Sequence, residues 1–308
     1  MADVLVLRAL GIGDLLVAVP ALRGLRREFS TRRLVLAAPA WLAPLVELTG
    51  CVDLLVPTPR LGALRWPGPD IAVNLHGAGP QSIDDLMATE PGVLLTHRHN
   101  AFPDLAGPEW VEELHEVHRW CQLLNWHGVA AEPTDLGLRR PTSASAAPGA
   151  VVVHPGASVP TRRWPAARFA EVAKQLAANG HRVVVTGSAD EQPLAAEVAA
   201  GAGLPDSAKL AGRLVLTELA AVVADATLTI SNDTGVGHLA TAYGTPSVLL
   251  FGPTPPARWG PPTDRKQHAV LWAGVRGEPF DETVHEGLLE LTVPDVMAAA
   301  GRVLSAPA

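Results

Sequence analysis

Residues 4–28 have the sequence VLVLRALGIGDLLVAVPALRGLRRE, which combines an apolar run, a glycine turn and an amphipathic segment. Val4–Leu7 is uniformly apolar, as expected of a strand in a parallel sheet that is covered on both faces. Gly11 and Gly13 then allow a tight turn, and the spacing of apolar residues from about Leu15 to Glu28 predicts a helix. The stretch therefore predicts a β–turn–α unit, the repeating element of an α/β protein.

A second unit of the same kind begins at residue 151. Val151–Val153 is again apolar, the polar loop HPGAS follows at residues 154–158, and a helix is predicted from about Pro165 to Asn179. Strands and helices alternate through both halves, which predicts doubly wound parallel sheets with right-handed crossovers. In the first half, the amphipathic segment Glu109–Trp126 is predicted to form one long helix.

The two repeats predict an α/β protein of two Rossmann-like domains that face each other across a central cleft. We assign residues 1–142 to the first domain, the Pro-, Ser- and Ala-rich stretch 143–150 to a linker, and residues 151–292 to the second domain. The terminal helix, residues 293–305, is a candidate to pack back on the first domain. Ligands of such sheets bind at the carboxyl ends of the strands, so we expect the glycine turns to line the cleft.

The composition argues against several classes of protein. The 308 residues carry a net charge of −7, which disfavours a general nucleic-acid binder, because such a protein needs a basic excess. Every apolar run is interrupted by a charge or a proline before it could span a bilayer, so we expect no integral membrane association. The chain has two cysteines without a CxxC spacing and starts with a strand rather than a signal peptide, which predicts a cytoplasmic protein.

The segment SNDTGVGH, residues 231–238, is the strongest candidate for a binding site. It follows a predicted strand, Ala226–Ile230, and opens a predicted helix, so backbone N–H groups and the helix dipole converge on one point. Thr234 adds a hydroxyl, and Gly235 allows a close backbone approach. We predict that this turn binds a diphosphate, because N-capping by Asp233 or Thr234 explains only one or two of these residues.

Two other predicted strand ends carry polar side chains. Arg162 and Arg163 follow the loop HPGAS, and arginine suits phosphate because its planar guanidinium donates two hydrogen bonds; the alternative is a solvated basic loop. The turn GSADE, residues 187–191, places Glu191 where a carboxylate can accept hydrogen bonds from ribose hydroxyls, or where it caps the following helix.

The turn GIGD, residues 11–14, does not match a dinucleotide fingerprint, because Leu16 stands where the third glycine is required. This mismatch argues against an NAD-dependent oxidoreductase. Asp14 is then either an acidic residue favoured by the dipole of the helix or a general base.

The histidines of the first half do not have the spacing of a known metal site. His115 and His118 lie one helical turn apart, but the sequence around them lacks a matching set of carboxylates and histidines. We predict that the protein binds no metal.

Taken in order, the motifs GIGD, HPGAS, RRWP, GSADE, LAGR, SNDTGVGH and FGPT resemble glycosyltransferase family 9, the ADP-heptose heptosyltransferases. The resemblance extends over nearly the whole chain and is densest in residues 154–260. It implies a GT-B fold and an inverting, metal-independent transfer of a heptose from an ADP-heptose donor, without a cofactor. It also implies that the second domain holds most of the donor.

The resemblance implies roles for individual residues. Asp14 matches the acidic catalytic residue of the Gly-Asp turn, Arg162 matches a basic residue that is usually lysine, and Asp233 is implied to lie near the sugar. The implied catalytic residues are therefore Asp14, Arg162 and Asp233. The implied donor-binding residues are Gly13, Ser158, Arg162, Gly187, Glu191, Leu210, Gly212, Asp233, Thr234, Gly235 and His238.

The predicted acceptor side departs from the family. Many relatives carry an arginine in a Gly-x-x-Arg-Ser-like stretch after the strand Ile71–Leu75, whereas residues 76–82 of this chain are HGAGPQS. The missing cation favours a small-molecule natural product over a phosphorylated lipopolysaccharide as the acceptor. We predict that His76, Gln81 and Arg119 lie on the acceptor side.

Four alternatives remain open on the sequence alone. Two are transferases: a lipopolysaccharide-core heptosyltransferase and a transferase that uses another nucleotide sugar. The other two are an NAD-type oxidoreductase, which the failed fingerprint disfavours, and a non-catalytic sugar-nucleotide-binding protein.

Overall fold

The computed structural model describes residues 3–305. By contacts, the chain divides into two compact units, Met1–Arg139 and Arg140–Ala308. Each unit contains one parallel sheet of five strands. This arrangement confirms the predicted fold class, an α/β chain with two Rossmann-like, doubly wound sheets.

The first unit is built around β1, in which Val4–Leu7 are completely buried and Asp3 is 7% exposed. Its strands are β1 Asp3–Leu7, β2 Arg33–Ala38, β3 Leu54–Pro57, β4 Ile71–Asn74 and β5 Val93–Leu95. Its helices are α1 Ile12–Glu28, α2 Ala43–Thr49, α3 Gln81–Met87 and α4 Glu116–Trp126. The strands lie in the order β3-β2-β1-β4-β5, so the order reverses between β1 and β4.

The helix α4 is shorter than the single helix predicted for Glu109–Trp126. It begins at Glu116, and the imidazole of His115 caps it by accepting a hydrogen bond from the N–H of Val117 (3.2 Å). The residues before it are held in an irregular conformation because Arg119 binds three of their carbonyl oxygens. A side chain of the helix thus replaces the helical hydrogen bonds of the preceding segment.

The second unit has a different strand order. Its strands are β6 Val151–His154, β7 Val183–Val185, β8 Leu228–Asn232, β9 Ser247–Phe251 and β10 His268–Trp272. Its helices are α5 Ala166–Ala178, α6 Gln192–Gly201, α7 Leu216–Ala224, α8 Gly235–Tyr243, α9 Pro256–Trp259, α10 Glu286–Glu290 and α11 Val293–Ser305. The order is β7-β6-β8-β9-β10, and it reverses between β6 and β8.

By contacts, the second unit is wider than the predicted domain, because it includes both the stretch 143–150 and the terminal helix. The stretch 143–150 is not a free linker, because Ala147 and Ala150 are fully buried in an apolar cluster with Val152 of β6. The terminal helix α11 belongs to the second unit, where it packs against α5, β9 and β10. Its buried face, which includes Val296 and Ala300, is part of the main apolar core of that unit.

No helix within residues 3–305 is both long enough and apolar enough to cross a bilayer.

We predict that Gly24→Ala destabilises the protein by about 1–3 kcal/mol, because it would crowd a packed contact. A Cβ on Gly24, in α1, would lie 2.7 Å from the carbonyl oxygen of Ala130 and 3.0 Å from Cβ of Ala131. The matched control is Gly301→Ala in α11, where the new Cβ has no described atom within 4 Å apart from its chain neighbours and the nearby backbone of its own helix. The control should raise stability by about 0.5–1 kcal/mol, since alanine is the better helix former. Free energies of unfolding from urea titration measure both effects, and equal effects would contradict the packing argument.

Candidate active site

The reversal of strand order in each sheet determines where the functional side chains lie. In open parallel sheets, ligands bind at the carboxyl ends of the two strands between which the order reverses. Asp14 and His76 follow β1 and β4, and Ser158 and Asp233 follow β6 and β8. Ser158 is exposed in the loop after β6. These four predicted residues therefore lie at the switch points of the two sheets.

The buried amide of Asn232, the last residue of β8, joins the two loops of the second switch point. Its Oδ1 accepts a hydrogen bond from the backbone N–H of Trp164 (3.0 Å), and its Nδ2 donates to the carbonyl oxygen of Pro155 (2.8 Å). Both partners lie in the segment after β6, so this one side chain holds that segment against the turn at Asp233. Asn232 belongs to the motif SNDTGVGH, but the motif alone predicts no role for it; its signal is a polar residue at the end of an apolar strand.

The N-terminus of α8 has the geometry of the anion-binding turn predicted from its motif. Thr234 is the N-cap residue in an extended conformation, and its carbonyl oxygen accepts hydrogen bonds from the N–H groups of Gly237 (3.0 Å) and His238 (3.4 Å). The amides of Gly235 and Val236 come earlier in the first turn, where N–H groups have no intrahelical acceptor. These amides and the helix dipole favour an anion at this point.

Arg162 and Asp233 form the charged pair beside this turn. Arg162 Nη1 lies 4.0 Å from Asp233 Oδ2, and the guanidinium stacks over the exposed ring of Phe280 at 5.7 Å. Within residues 3–305, Nε of Arg162 is buried without a hydrogen-bond partner. In α8, the His238 ring meets the Trp259 ring edge-on at 6.0 Å. A buried N–H that lacks an acceptor is what a phosphate oxygen would satisfy.

The carboxylate of Glu191 is fitted against two glycines. Its Oε2 accepts a hydrogen bond from the N–H of Ser188 (2.8 Å), and its other oxygen lies where a side chain on Gly156 would collide with it. A Cβ on Gly187 would come within 3.1 Å of Glu191 Cβ. Gly156 follows β6 and Gly187 follows β7, so Glu191 stands between the ends of these neighbouring strands.

The segment with Leu210 and Gly212 runs beside the same strand end. The N–H of Leu210 donates to the carbonyl oxygen of Val185 in β7 (2.8 Å), and the N–H of Gly212 donates to that of Gly187 (3.0 Å). Gly212 has φ of +66°, and the amide of Gln192 occupies the space of a side chain there. Glycine is therefore required at this position both by the backbone conformation and by the close approach of Gln192.

An open groove of about 550 Å³ lies at the start of α6. Its polar lining comes from Asp190, Gln192, Lys209 and Arg213. These residues are the sequence neighbours of Glu191 and of the Leu210–Gly212 segment. This volume is in the range of small-molecule sites.

Arg8 is a residue of the candidate site in the first unit that the sequence alone does not single out. Its side chain is only 1% exposed, and its Nε donates to the carbonyl oxygen of Asp14 (2.8 Å) while Nη2 lies 3.3 Å from Asp14 Oδ1. Its Nη1 also binds the carbonyl oxygen of Leu75, after β4. The other carboxylate oxygen of Asp14 accepts from the N–H of Gly11 (3.2 Å). Arg8 thus ties the Asp14 turn to the end of β4, and its place directly after a buried strand was the available signal.

His76 is held as a neutral imidazole at the same switch point. Its Nδ1 accepts a hydrogen bond from the backbone N–H of Ala9 (3.2 Å), so the ring proton is on Nε2. Burial, and next the charge of Arg8, lower the pKa of His76 to about 4. Gln81 is exposed at the start of α3, after the loop that follows His76, and Gly13 lies in the first turn of α1 beside Asp14. The structure therefore brings Gly13, Asp14 and His76 to one edge of the sheet.

Arg119 does not have the environment predicted for an acceptor-binding residue. Its guanidinium is fully buried, donates to Glu116 Oε1 (2.8 Å) and lies 3.8 Å from the ring centre of Trp110. Its other donors bind the carbonyl oxygens of Val111, Glu112 and Leu114. We therefore correct its assignment, because its donors hold the segment before α4 rather than offering a charge at the surface.

Within residues 3–305, no three His, Cys, Asp or Glu side chains are grouped so that they could hold a metal ion. His115 and His118 contact each other edge-on at 5.8 Å, and His115 Nδ1 is engaged as the cap of α4.

We predict that Asn232→Asp destabilises the protein by about 3 kcal/mol, because the acid has the shape of the amide but loses its N–H donors. Its carboxylate would face the carbonyl oxygens of Pro155 and Gly156, which are its present acceptors. The matched control is Asn125→Asp, since Asn125 accepts a hydrogen bond through Oδ1 from the N–H of Ala131 (3.0 Å), and aspartate keeps that function. Urea unfolding should show a change of less than about 0.5 kcal/mol for the control. Equal losses in the two variants would contradict the role given to Asn232.

The model of the family described as "Glycosyltransferase family 9 (heptosyltransferase)" matches residues 107–283, which is more than half of the chain. The match includes α4 and all the predicted donor-binding residues of the second unit.

Curated relatives match over part of their length. Lipopolysaccharide heptosyltransferase 2 of Escherichia coli is 33% identical over 158 residues, which are 49% of this chain and 45% of the relative. Lipopolysaccharide heptosyltransferase 1 of Pseudomonas aeruginosa is 35% identical over 182 residues, 58% of this chain and 49% of the relative. The matched region spans about half the length of these proteins.

Solved structures are similar over nearly the whole chain. ADP-heptose lipopolysaccharide heptosyltransferase II of E. coli superposes with a TM-score of 0.77 at 23% identity, covering 98% of each chain. A family 9 glycosyltransferase from Veillonella parvula gives a TM-score of 0.80 at 20% identity, covering 98% of this chain and 97% of that one. The E. coli heptosyltransferase WaaC, solved with ADP, gives 0.71 at 19% identity, covering 98% and 99%. These similarities establish the GT-B fold.

Proposed function

The chain belongs to glycosyltransferase family 9, the heptosyltransferases, and we propose that it transfers a heptose from an ADP-heptose donor to an acceptor hydroxyl. The proposed reaction is inverting and needs no metal. The observation that carries the proposal is the group of side chains at the second switch point, where Arg162 offers a buried, unsatisfied N–H within the described residues, beside Asp233 and the N-terminus of α8.

In this proposal, the second unit binds the diphosphate of the donor. The amides of Gly235 and Val236 and the Nε–H of Arg162 donate to its oxygens. When the bond between the anomeric carbon and the phosphate oxygen breaks, the electron pair goes to the leaving ADP. The same donors stabilise that developing charge, which is the role that a divalent cation has in other transferases. Asp233 orients the hydroxyls of the sugar.

The nucleoside is proposed to lie toward Glu191 and the Leu210–Gly212 segment. A carboxylate in this position accepts hydrogen bonds from ribose hydroxyls, as acidic residues do in related nucleotide folds. The groove of about 550 Å³ beside α6 offers room for a base. The preference for adenine is supported by the relative WaaC, whose structure was solved with ADP.

Asp14 is proposed to be the general base of the first unit. As the acceptor oxygen forms its bond to the anomeric carbon, its O–H bond breaks and the proton passes to the carboxylate of Asp14. That carboxylate is 29% exposed and is oriented by Arg8 and by the N–H of Gly11. Attack on the face opposite the leaving group inverts the anomeric configuration.

The proposed acceptor is a small molecule with few phosphates. His76 is neutral and offers one N–H donor, from Nε2. The guanidinium groups of Arg8 and Arg119 are buried and bound to carboxylates and carbonyl oxygens, so neither adds a surface charge for phosphate. A lipopolysaccharide-core acceptor is the alternative, and the relatives described above are named for that activity.

Calorimetric titration with ADP, UDP, GDP and NAD, each with EDTA and then with Mg²⁺, tests the donor. We expect preferential binding of ADP that does not depend on the metal. Preference for UDP or GDP would change the proposed donor and leave the reaction class intact. Preference for NAD, or binding of none of the four nucleotides, would contradict the proposed function.

Asp14→Asn is predicted to retain ADP affinity and to lose about 10²–10⁴-fold in turnover, the usual contribution of a general base. The matched control is Asp84→Asn, because Asp84 is an exposed carboxylate on α3 of the same unit. The assay measures release of ADP from ADP-heptose in the presence of a panel of acceptors that includes lipopolysaccharide core and small natural products. Turnover of Asp14→Asn near the wild-type rate would rule out its assignment as the base.

A further inference from the structure

Asp14 is the first of four charged side chains that alternate in sign. Arg8 Nη2 lies 3.3 Å from Asp14 Oδ1 and 3.8 Å from Glu116 Oε2, so one nitrogen faces two carboxylates. The other oxygen of Glu116 accepts a hydrogen bond from Arg119 Nε at 2.8 Å. The series runs from Asp14 through Arg8 and Glu116 to Arg119, and its formal charges sum to zero.

Three of these side chains are buried. Arg8 and Arg119 are 1% and 0% exposed, and Glu116 is 5% exposed, whereas Asp14 is reached by solvent. Burial of an ionised group is costly unless it is paired, so each internal member depends on its neighbours. Arg8 also lies 4.7 Å from the ring centre of Trp120, which restricts its movement.

We propose that Glu116 is a positioning residue that sets how strongly Asp14 accepts a proton, by competing with Asp14 for the Nη2 group of Arg8. The inference rests on the proposed function, in which Asp14 is the general base. While Asp14 is ionised, Arg8 is shared between two carboxylates. After Asp14 has taken the proton, Glu116 still compensates Arg8, so the buried guanidinium is not left without an anion.

The neighbouring titratable groups do not disturb this arrangement near neutral pH. Burial and, next, the charge of Arg8 hold the pKa of His76 at about 4, and burial and then Arg119 do the same for His97. Asp85 acts on His76 from α3, and Glu112 binds Arg119 through its backbone carbonyl oxygen. Both imidazoles are therefore neutral across the range in which a transferase assay would be run.

Glu116→Gln tests the proposal. Removing this charge strengthens the hold of Arg8 on Asp14 and removes the repulsion between the two carboxylates, and both effects favour the ionised form of Asp14. We expect the titration midpoint of the Asp14 carboxyl carbon, followed by NMR, to lie at a lower pH than in the wild-type protein. The acidic limb of the pH–rate profile should move in the same direction. Glu28→Gln, which removes an exposed carboxylate from the same unit, should leave both midpoints unchanged.

Glu116→Asp is a second test, and it replaces Glu116→Gln if the glutamine variant does not fold. It keeps the charge but withdraws it from Arg8 by one methylene, so we expect a smaller shift in the same direction. If Glu116 had only a structural role, its substitution would lower the free energy of unfolding without moving the titration midpoint of Asp14. That result, in whichever variant folds, overturns the proposal.

The NMR measurement separates this inference from the proposed function. The Asp14 signal is assigned by its loss in Asp14→Asn, and its midpoint is measured without substrate. A shifted midpoint with no transfer in any variant would support the influence of Glu116 and contradict the proposed reaction. An unshifted midpoint with a working base at Asp14 would contradict the inference alone.

Discussion

Each sheet reverses its strand order once, and the candidate site of each unit lies at the strand ends beside this reversal. The central strands are mostly apolar and buried, so the side chains of the candidate sites come from the loops that follow the strand ends. At those ends, the loops must be held in place by buried polar contacts. Asn232 does this in the second unit, through its hydrogen bonds to the segment after β6. Arg8 does it in the first, by joining the Asp14 turn to the end of β4.

The strand ends were predictable from the sequence, whereas the contacts between them were not. Apolar runs and glycine turns located β1, β4, β6 and β8 to within two residues, and they placed Asp14, Asp233 and Thr234 shortly after the end of a strand. The long helix predicted at Glu109–Trp126 failed because amphipathic spacing does not reveal that Arg119 binds the backbone of the preceding segment. The composition of residues 143–150 likewise does not reveal that Ala147 and Ala150 enter the core.

The two units meet the cost of buried charge in different ways. In the first unit, Arg8 and Arg119 are compensated by Asp14 and Glu116, so the charges are balanced within the protein. In the second unit, Arg162 and Asp233 stand 4.0 Å apart, and within the described residues the Nε–H of Arg162 lacks an acceptor. A balanced set suits a group that must keep a fixed orientation. A guanidinium with an N–H group that lacks an acceptor suits a residue that binds an anionic ligand.

The position of α11 has a consequence for synthesis of the chain. Its residues Val296, Ala299, Ala300 and Val303 complete the core that begins at β6, nearly 150 residues earlier in the sequence. The first unit contains its whole core within its own 139 residues and can close while translation continues. The second unit exposes an incomplete apolar face until its last helix has left the ribosome. Chaperone contact and degradation of truncated chains should therefore concentrate on that unit.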